Sequence, residues 1–162
     1  MRRGYTAEEF IRVCDDARKF LGDDLHISSD ILTGFPTESD SAFNNTLNVM
    51  RESKLGRVHV FPFSERKGTL AEKMRGKISH QEKILRVSMA ITLGRELYQD
   101  YVKRFINHDV EILIEESASK GHTKHFVEAD ILDKKFSPNQ IIIAKAVSEL
   151  NGRLKCIYLN RN

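Results

Sequence analysis

The chain has 162 residues, 40% apolar and 30% charged, with a net charge of +3. That suffices for one core of ordinary size or for two small ones, and no run approaches the roughly 18 consecutive apolar residues of a membrane span. The basic start MRRGYT runs into TAEEF without an apolar signal core, so no export is expected and the cytoplasm is the expected location.

Thr6 and Glu9 form a capping box, and Phe10, Val13, Cys14, Ala17 and Leu21 recur at helical spacing until Gly22, which predicts a helix over 7–21. The short apolar run from His26 to Leu32 ends in Gly34-Phe35-Pro36 and reads as a buried strand leaving through a tight turn. Thr37 with Asp40 is expected to open a second helix, whose Phe43, Leu47 and Met50 share a face to about Ser53. Gly56 leads into the strand RVHVFPF, residues 57–63, and this alternation of strand and helix predicts a parallel α/β sheet.

The polar stretch SERKGTLAEKMRGK predicts a loop, and Ser79 with Glu82 predicts the start of a longer third helix. Ile84, Val87, Ile91, Leu97, Tyr98, Val102 and Phe105 are expected to supply much of its apolar surface. From residue 109 the period changes to 2. VEILIEE, HFVEADIL, IIIAKAVSEL and RLKCIYL are expected strands, with a Ser/Lys/Gly loop after the first and an Asn151-Gly152 hairpin turn between the last two. The expected organisation is an α/β portion over 1–106 followed by a small antiparallel β-barrel over 107–162.

Cys14 and Cys156 belong to no closely spaced cysteine group and fall within apolar patterns, so buried structural thiols are expected. Charge is uneven: residues 1–50 hold 5 basic and 9 acidic side chains, 51–104 hold 13 and 6, and 105–162 hold 8 and 8. A solvated face and a phosphate-facing surface both account for the basic middle.

Parallel α/β sheets bind ligands beyond the C-terminal ends of their strands, here at DILTGFPTE and HVFPFSERKGT. Gly34 allows close backbone approach, and the helix start after Pro36 is either a structural turn or an anion-facing one. Val60, Phe61 and Pro62 offer apolar surface to a flat ring, and Arg66 can grip a carboxylate or phosphate with two donors. In the terminal portion, Lys120, His122, Lys124 and His125 crowd one region, while Lys145, Arg153 and Lys155 belong to the last hairpin and Phe126 and Tyr158 lie among them. Cations with a few aromatics suit RNA, and a solvated barrel surface is the alternative. His122 and His125 have no companion at metal spacing and read as ordinary surface histidines.

The order MRRGYT, SDILTGFPTE, HVFPFSERKGT, long helix and terminal β domain resembles the radical S-adenosylmethionine methylthiotransferases that modify tRNA beside the anticodon. The second strand exit is most similar to the branch acting on threonylcarbamoyladenosine, although that pattern usually has Pro at Glu65 and Lys67 and Tyr at Phe63. The resemblance implies a partial TIM-like parallel barrel holding a 4Fe-4S cluster and S-adenosylmethionine, then a TRAM domain that binds tRNA. It implies that Asp30, Gly34, Glu38, Val60, Phe61 and Pro62 face the cofactor. Arg3, Tyr5 and Arg66 would line the nucleoside entry, and Lys120, Lys124, Arg153 and Lys155 would meet RNA. The family's cysteine triplet is absent, so this chain is expected to ligate no cluster, to be the carboxy-terminal half of such an enzyme, and to leave a sheet edge for the missing half or an oligomer partner to cover. Alone it is expected to be inactive, a tRNA-binding module or a structural fragment.

Overall fold

The computed structural model describes residues 4–115 and 118–160. The chain divides into two compact units, one comprising residues 1–20 and 27–97, the other residues 21–26 and 98–162.

In the first unit, helix α1 (Ala7–Leu21) starts at the expected capping box: the Thr6 N–H donates to Glu9 Oε2 at 2.7 Å, and the Glu9 N–H donates to Thr6 Oγ1 at 3.2 Å. Strand β1 (Ser28–Thr33) pairs in parallel with β2 (Arg57–Pro62), matching Asp30 with His59 and Leu32 with Phe61. Helix α2 (Asp40–Glu52) connects them. Its N-cap is Ser39, whose Oγ accepts the Ala42 N–H at 3.1 Å, rather than Thr37. Thr37 is instead held at φ 71° with its N–H given to the Gly76 carbonyl, which takes it out of capping geometry. Buried Arg18 donates to the carbonyls of Ser53 and Lys54 at 2.6 and 2.8 Å, filling acceptors that the end of α2 leaves open. Helix α3 (His80–Lys103) begins at Ser79, whose Oγ accepts the Glu82 N–H.

Strand alternation puts Ile31, Val58 and Val60 against a core of Phe43, Leu47, Met50, Leu55, Ala90 and Leu93. The other face carries exposed Asp30, His59 and Phe61. Of the apolar residues expected along α3, Leu97 packs against this core while Ile84 and Ile91 are exposed, and Ala90 and Leu93 are buried in it without having been expected. Where a partial parallel barrel was expected, the described residues form a two-stranded parallel sheet covered by helices.

The second unit is a closed five-stranded barrel in the order β3-β4-β5-β7-β6, formed by β3 (Asp109–Ile114), β4 (Lys120–Thr123), β5 (Glu128–Ile131), β6 (Ile141–Leu150) and β7 (Arg153–Tyr158). It is mixed rather than antiparallel, since β5 and β7 run parallel. A ring with an odd number of strands cannot alternate direction at every seam, so closure itself demands a parallel pair. The expected hairpin between β6 and β7 is present, with Asn151 and Gly152 at φ 55° and 77°.

The expected loop after β3 contains β4. Gly121 lies so close to β3 that a Cβ there would stand 2.0 Å from the Leu113 carbonyl oxygen. The barrel core includes Tyr101, Val102, Phe105, Ile112, Ile114, Val127, Leu154 and Cys156. Both cysteines are buried and unpaired, and burial pushes the Cys156 thiol up to about 12.

Gly121→Ala is expected to destabilise the barrel by about 1–3 kcal/mol or more, read from urea unfolding, because a backbone carbonyl must yield to the new methyl. Native protein at pH 8 is expected to leave Cys156 unlabelled by iodoacetamide and to expose it once unfolded; rapid native labelling contradicts its burial.

Candidate functional site at the exits of the parallel strands

The exits of β1 and β2 are joined by a short, well-bonded junction. The Phe63 N–H donates to the Thr33 carbonyl at 2.7 Å, and the rings of Phe35 and Phe63 meet edge to face at 5.0 Å. Gly34 has φ 77°, and a Cβ there would lie 2.5 Å from Lys83 Cγ, so both backbone conformation and space require glycine. The Lys83 ammonium donates to the Phe63 carbonyl at 3.3 Å.

Glu38 holds this junction from the other side. Its Oε2 accepts the Gly34 N–H and an Arg86 donor, each at 2.8 Å. The Arg86 guanidinium also donates to the Glu38 carbonyl at 2.8 Å, to Glu82 Oε1 at 2.8 Å and to Asp40 Oδ1 at 2.7 Å, while its side chain is only 4% exposed. Glu38 therefore ties the first exit to α2 and α3.

Beyond the second exit, the Gly68-Thr69 turn folds the loop back. Glu72 Oε2 accepts the Gly68 N–H at 2.7 Å, and the Thr69 hydroxyl donates to the Arg66 carbonyl at 2.8 Å. This leaves a cleft of about 540 Å³ on the free face of the sheet, lined by Asp30, Leu32, Phe61, Pro62, Arg66 and Thr69 among others. A lining that combines a carboxylate, apolar side chains and an exposed guanidinium can hold a flat ring carrying a polar or anionic group.

Of the expected cofactor-facing residues, Asp30, Phe61 and Pro62 line this cleft, as does Arg66 from the expected entry side. Val60 turns to the core side because it is one residue out of phase with Phe61. The Gly34 backbone and the Glu38 carboxylate are used within the junction. Tyr5 stacks on Phe10 with ring centroids 6.2 Å apart, and Arg3 lies outside the described residues. Leu32 was not expected in the cleft, although its place two residues after Asp30 could have suggested it.

On the barrel, Lys120, His122 and Arg153 share a cleft of about 760 Å³ with Glu115 and Glu128. Arg153 is paired with Asp130 at 2.8 Å and with Glu128, and Lys155 with Asp130 at 2.6 Å. Exposed Lys124 lines a different cleft, of about 570 Å³, together with Arg104, His108 and His125. His125 is not an ordinary surface histidine: its side chain is 18% exposed and Nε2 lies 3.1 Å from Asp24 Oδ2, with burial pulling its pKa down against that carboxylate. His122 meets Glu115 at 2.8 Å.

No family model matches the chain. Curated relatives do match it nearly end to end. Threonylcarbamoyladenosine tRNA methylthiotransferase MtaB of Rickettsia prowazekii is 34% identical over 163 residues, covering 98% of this chain and 37% of the relative. Its Bacillus subtilis namesake is 37% identical over 117 residues, 72% of this chain and 26% of the relative. The tRNA-2-methylthio-N(6)-dimethylallyladenosine synthase of Fervidobacterium nodosum is 33% identical over 162 residues, 99% of this chain and 35% of the relative.

The chain belongs to the tRNA methylthiotransferase family. It spans between about a quarter and little more than a third of the length of these relatives. The residues present do not fit the family's iron-sulfur cluster, which requires closely spaced thiolates. Cys14 and Cys156 are buried in separate units, and among the described residues no three His, Cys, Asp or Glu side chains converge on a metal position. Among the described residues, no helix is long and apolar enough to cross a membrane.

Arg86→Met is expected to destabilise the first unit by about 3–5 kcal/mol in urea unfolding, because it leaves Glu38 an unpaired carboxylate in a half-closed site. Arg86→Lys is expected to recover only part of that loss, since an ammonium cannot reproduce the planar fork that reaches three carboxylates.

Proposed function

We propose that this chain is the carboxy-terminal portion of a radical S-adenosylmethionine tRNA methylthiotransferase acting on threonylcarbamoyladenosine beside the anticodon. The observation that carries this reading is the cleft joining Asp30, Phe61, Pro62 and Arg66 at neighbouring parallel strand exits, in a chain that aligns nearly end to end with enzymes of that name. In this reading residues 1–106 are the last part of a TIM-like radical barrel, and residues 107–162 are a TRAM-like RNA-binding domain.

Bound S-adenosylmethionine would supply the radical and methyl chemistry of the family. The part of this chain is to bind and orient. Phe61 and Pro62 would pack against a ring, and Asp30 would accept hydrogen bonds from a hydroxyl or amino group. Arg66 makes no ion pair among the described residues and would hold a carboxylate of the nucleoside. The cluster would come from the amino-terminal half, which would also cover the outer edge of β1. The cytoplasm is the proposed location.

A second reading is favoured by the lack of fit to a cluster: on their own these 162 residues act as a tRNA-binding module without chemistry. Lys120 and Lys124 are its best phosphate contacts, because Arg153 and Lys155 are already paired with Asp130.

Titration of labelled tRNA at several salt concentrations tests the shared RNA claim. Affinity is expected to fall steeply with salt, and the double variant Lys120→Ala/Lys124→Ala is expected to weaken binding and flatten the salt slope by about 1–2. Binding that is absent, or independent of salt, overturns it. Tight binding of S-adenosylmethionine with a loss on Phe61→Ala would favour the enzyme-portion reading over the bare module.

A further inference from the structure

The turn between β4 and β5 is a three-residue hairpin loop, Lys124-His125-Phe126. The Phe126 N–H donates to the Thr123 carbonyl at 2.9 Å and the Thr123 N–H donates to the Val127 carbonyl at 2.8 Å, which closes the loop. Thr123 Oγ1 also accepts the His125 and Val127 N–H groups at 3.3 and 3.2 Å. The last residue of such a loop takes the left-handed conformation, and glycine usually occupies that place. Here it is Phe126, at φ 58°.

That choice is unfavourable twice over in the free protein. A bulky side chain at positive φ is strained, and the ring is 68% exposed to water, so little burial offsets the strain. Within this unit the ring approaches His26, with centroids 5.8 Å apart and planes at 40°, while most of its surface stays open. Among the described exposed large apolar residues of this unit, Leu21, Leu113, Leu132, Ile141, Leu150 and Ile157 are aliphatic and Phe126 is the aromatic one. Beside it stands the exposed cation Lys124.

We propose that Phe126 is a stacking platform for one unpaired base of a bound RNA, with Lys124 holding the adjoining phosphate. The proposal rests on the RNA-binding reading above and adds to it a residue, a geometry and a substrate class, single-stranded rather than duplex nucleotides. A π-face is what every base can use, and a mostly exposed ring on a hydrogen-bonded turn is already arranged for it. An apolar protein partner would be met as well by an aliphatic side chain at a less strained position.

The full chain is titrated with a short single-stranded RNA carrying 2-aminopurine, alongside Phe126→Gly and Phe126→Tyr. Phe126→Gly suits the backbone, so its thermal midpoint is expected to equal or exceed that of the parent. Its RNA affinity is expected to fall about five- to a hundredfold with the salt slope unchanged, because a stack is lost and no phosphate contact is. The parent and Phe126→Tyr are expected to quench 2-aminopurine fluorescence, and Phe126→Gly is not. If Phe126→Gly binds and quenches like the parent, the platform is refuted while RNA binding stands. If the parent binds no RNA, both this proposal and the reading beneath it fall.

Discussion

A guanidinium withdrawn from water needs its donors filled, and in the first unit three carboxylates and one carbonyl do this for Arg86. The groups come from α2, from α3 and from the turn that follows β1. Glu38 is the member on which the others depend: it accepts from Arg86 and from the Gly34 N–H, so the exit of β1 and the buried cation are held by one carboxylate. Asp40 is 90% exposed and adds little by comparison. Without this link, the Gly34 N–H would lose its acceptor and Arg86 one of its carboxylates.

The cleft follows from that junction and from the period of the strands. Core-facing Ile31, Val58 and Val60 bind the sheet to its helices, which leaves Asp30, Leu32 and Phe61 on the other side. The cleft therefore occupies the face of the sheet that does not pack against the helical core. The loop bearing Arg66 is kept near it by local bonds from Gly68 and Thr69 to Glu72 and Arg66.

In the barrel, the cations divide between those held in ion pairs and those left exposed. Asp130 pairs with both Arg153 and Lys155, and Glu128 also pairs with Arg153, across the β5 and β7 seam. Lys120 and Lys124 remain on the surface, and exposed Phe126 lies two residues after the latter in the same hydrogen-bonded turn. Charge counted along the chain cannot distinguish these two groups of cations. Their partners must be known.

What the amino-acid order settled alone is local: the Thr6 and Glu9 box, the Ser79 helix start, the period of each long strand, and the Asn151-Gly152 hairpin. These depend on groups a few residues apart, whose geometry is constrained by covalent connection. Family membership was equally legible, because its motifs are contiguous words. Tertiary structure decided the rest. It drew Arg86 to Glu38 across 48 positions and Arg153 to Asp130 across 23, turned an expected loop into β4 because Gly121 admits its neighbour, and required a parallel seam to close five strands. Spacing along a chain carries no information about which distant carboxylate a buried cation will meet. Packing selects that partner, since only the folded arrangement brings its acceptors together.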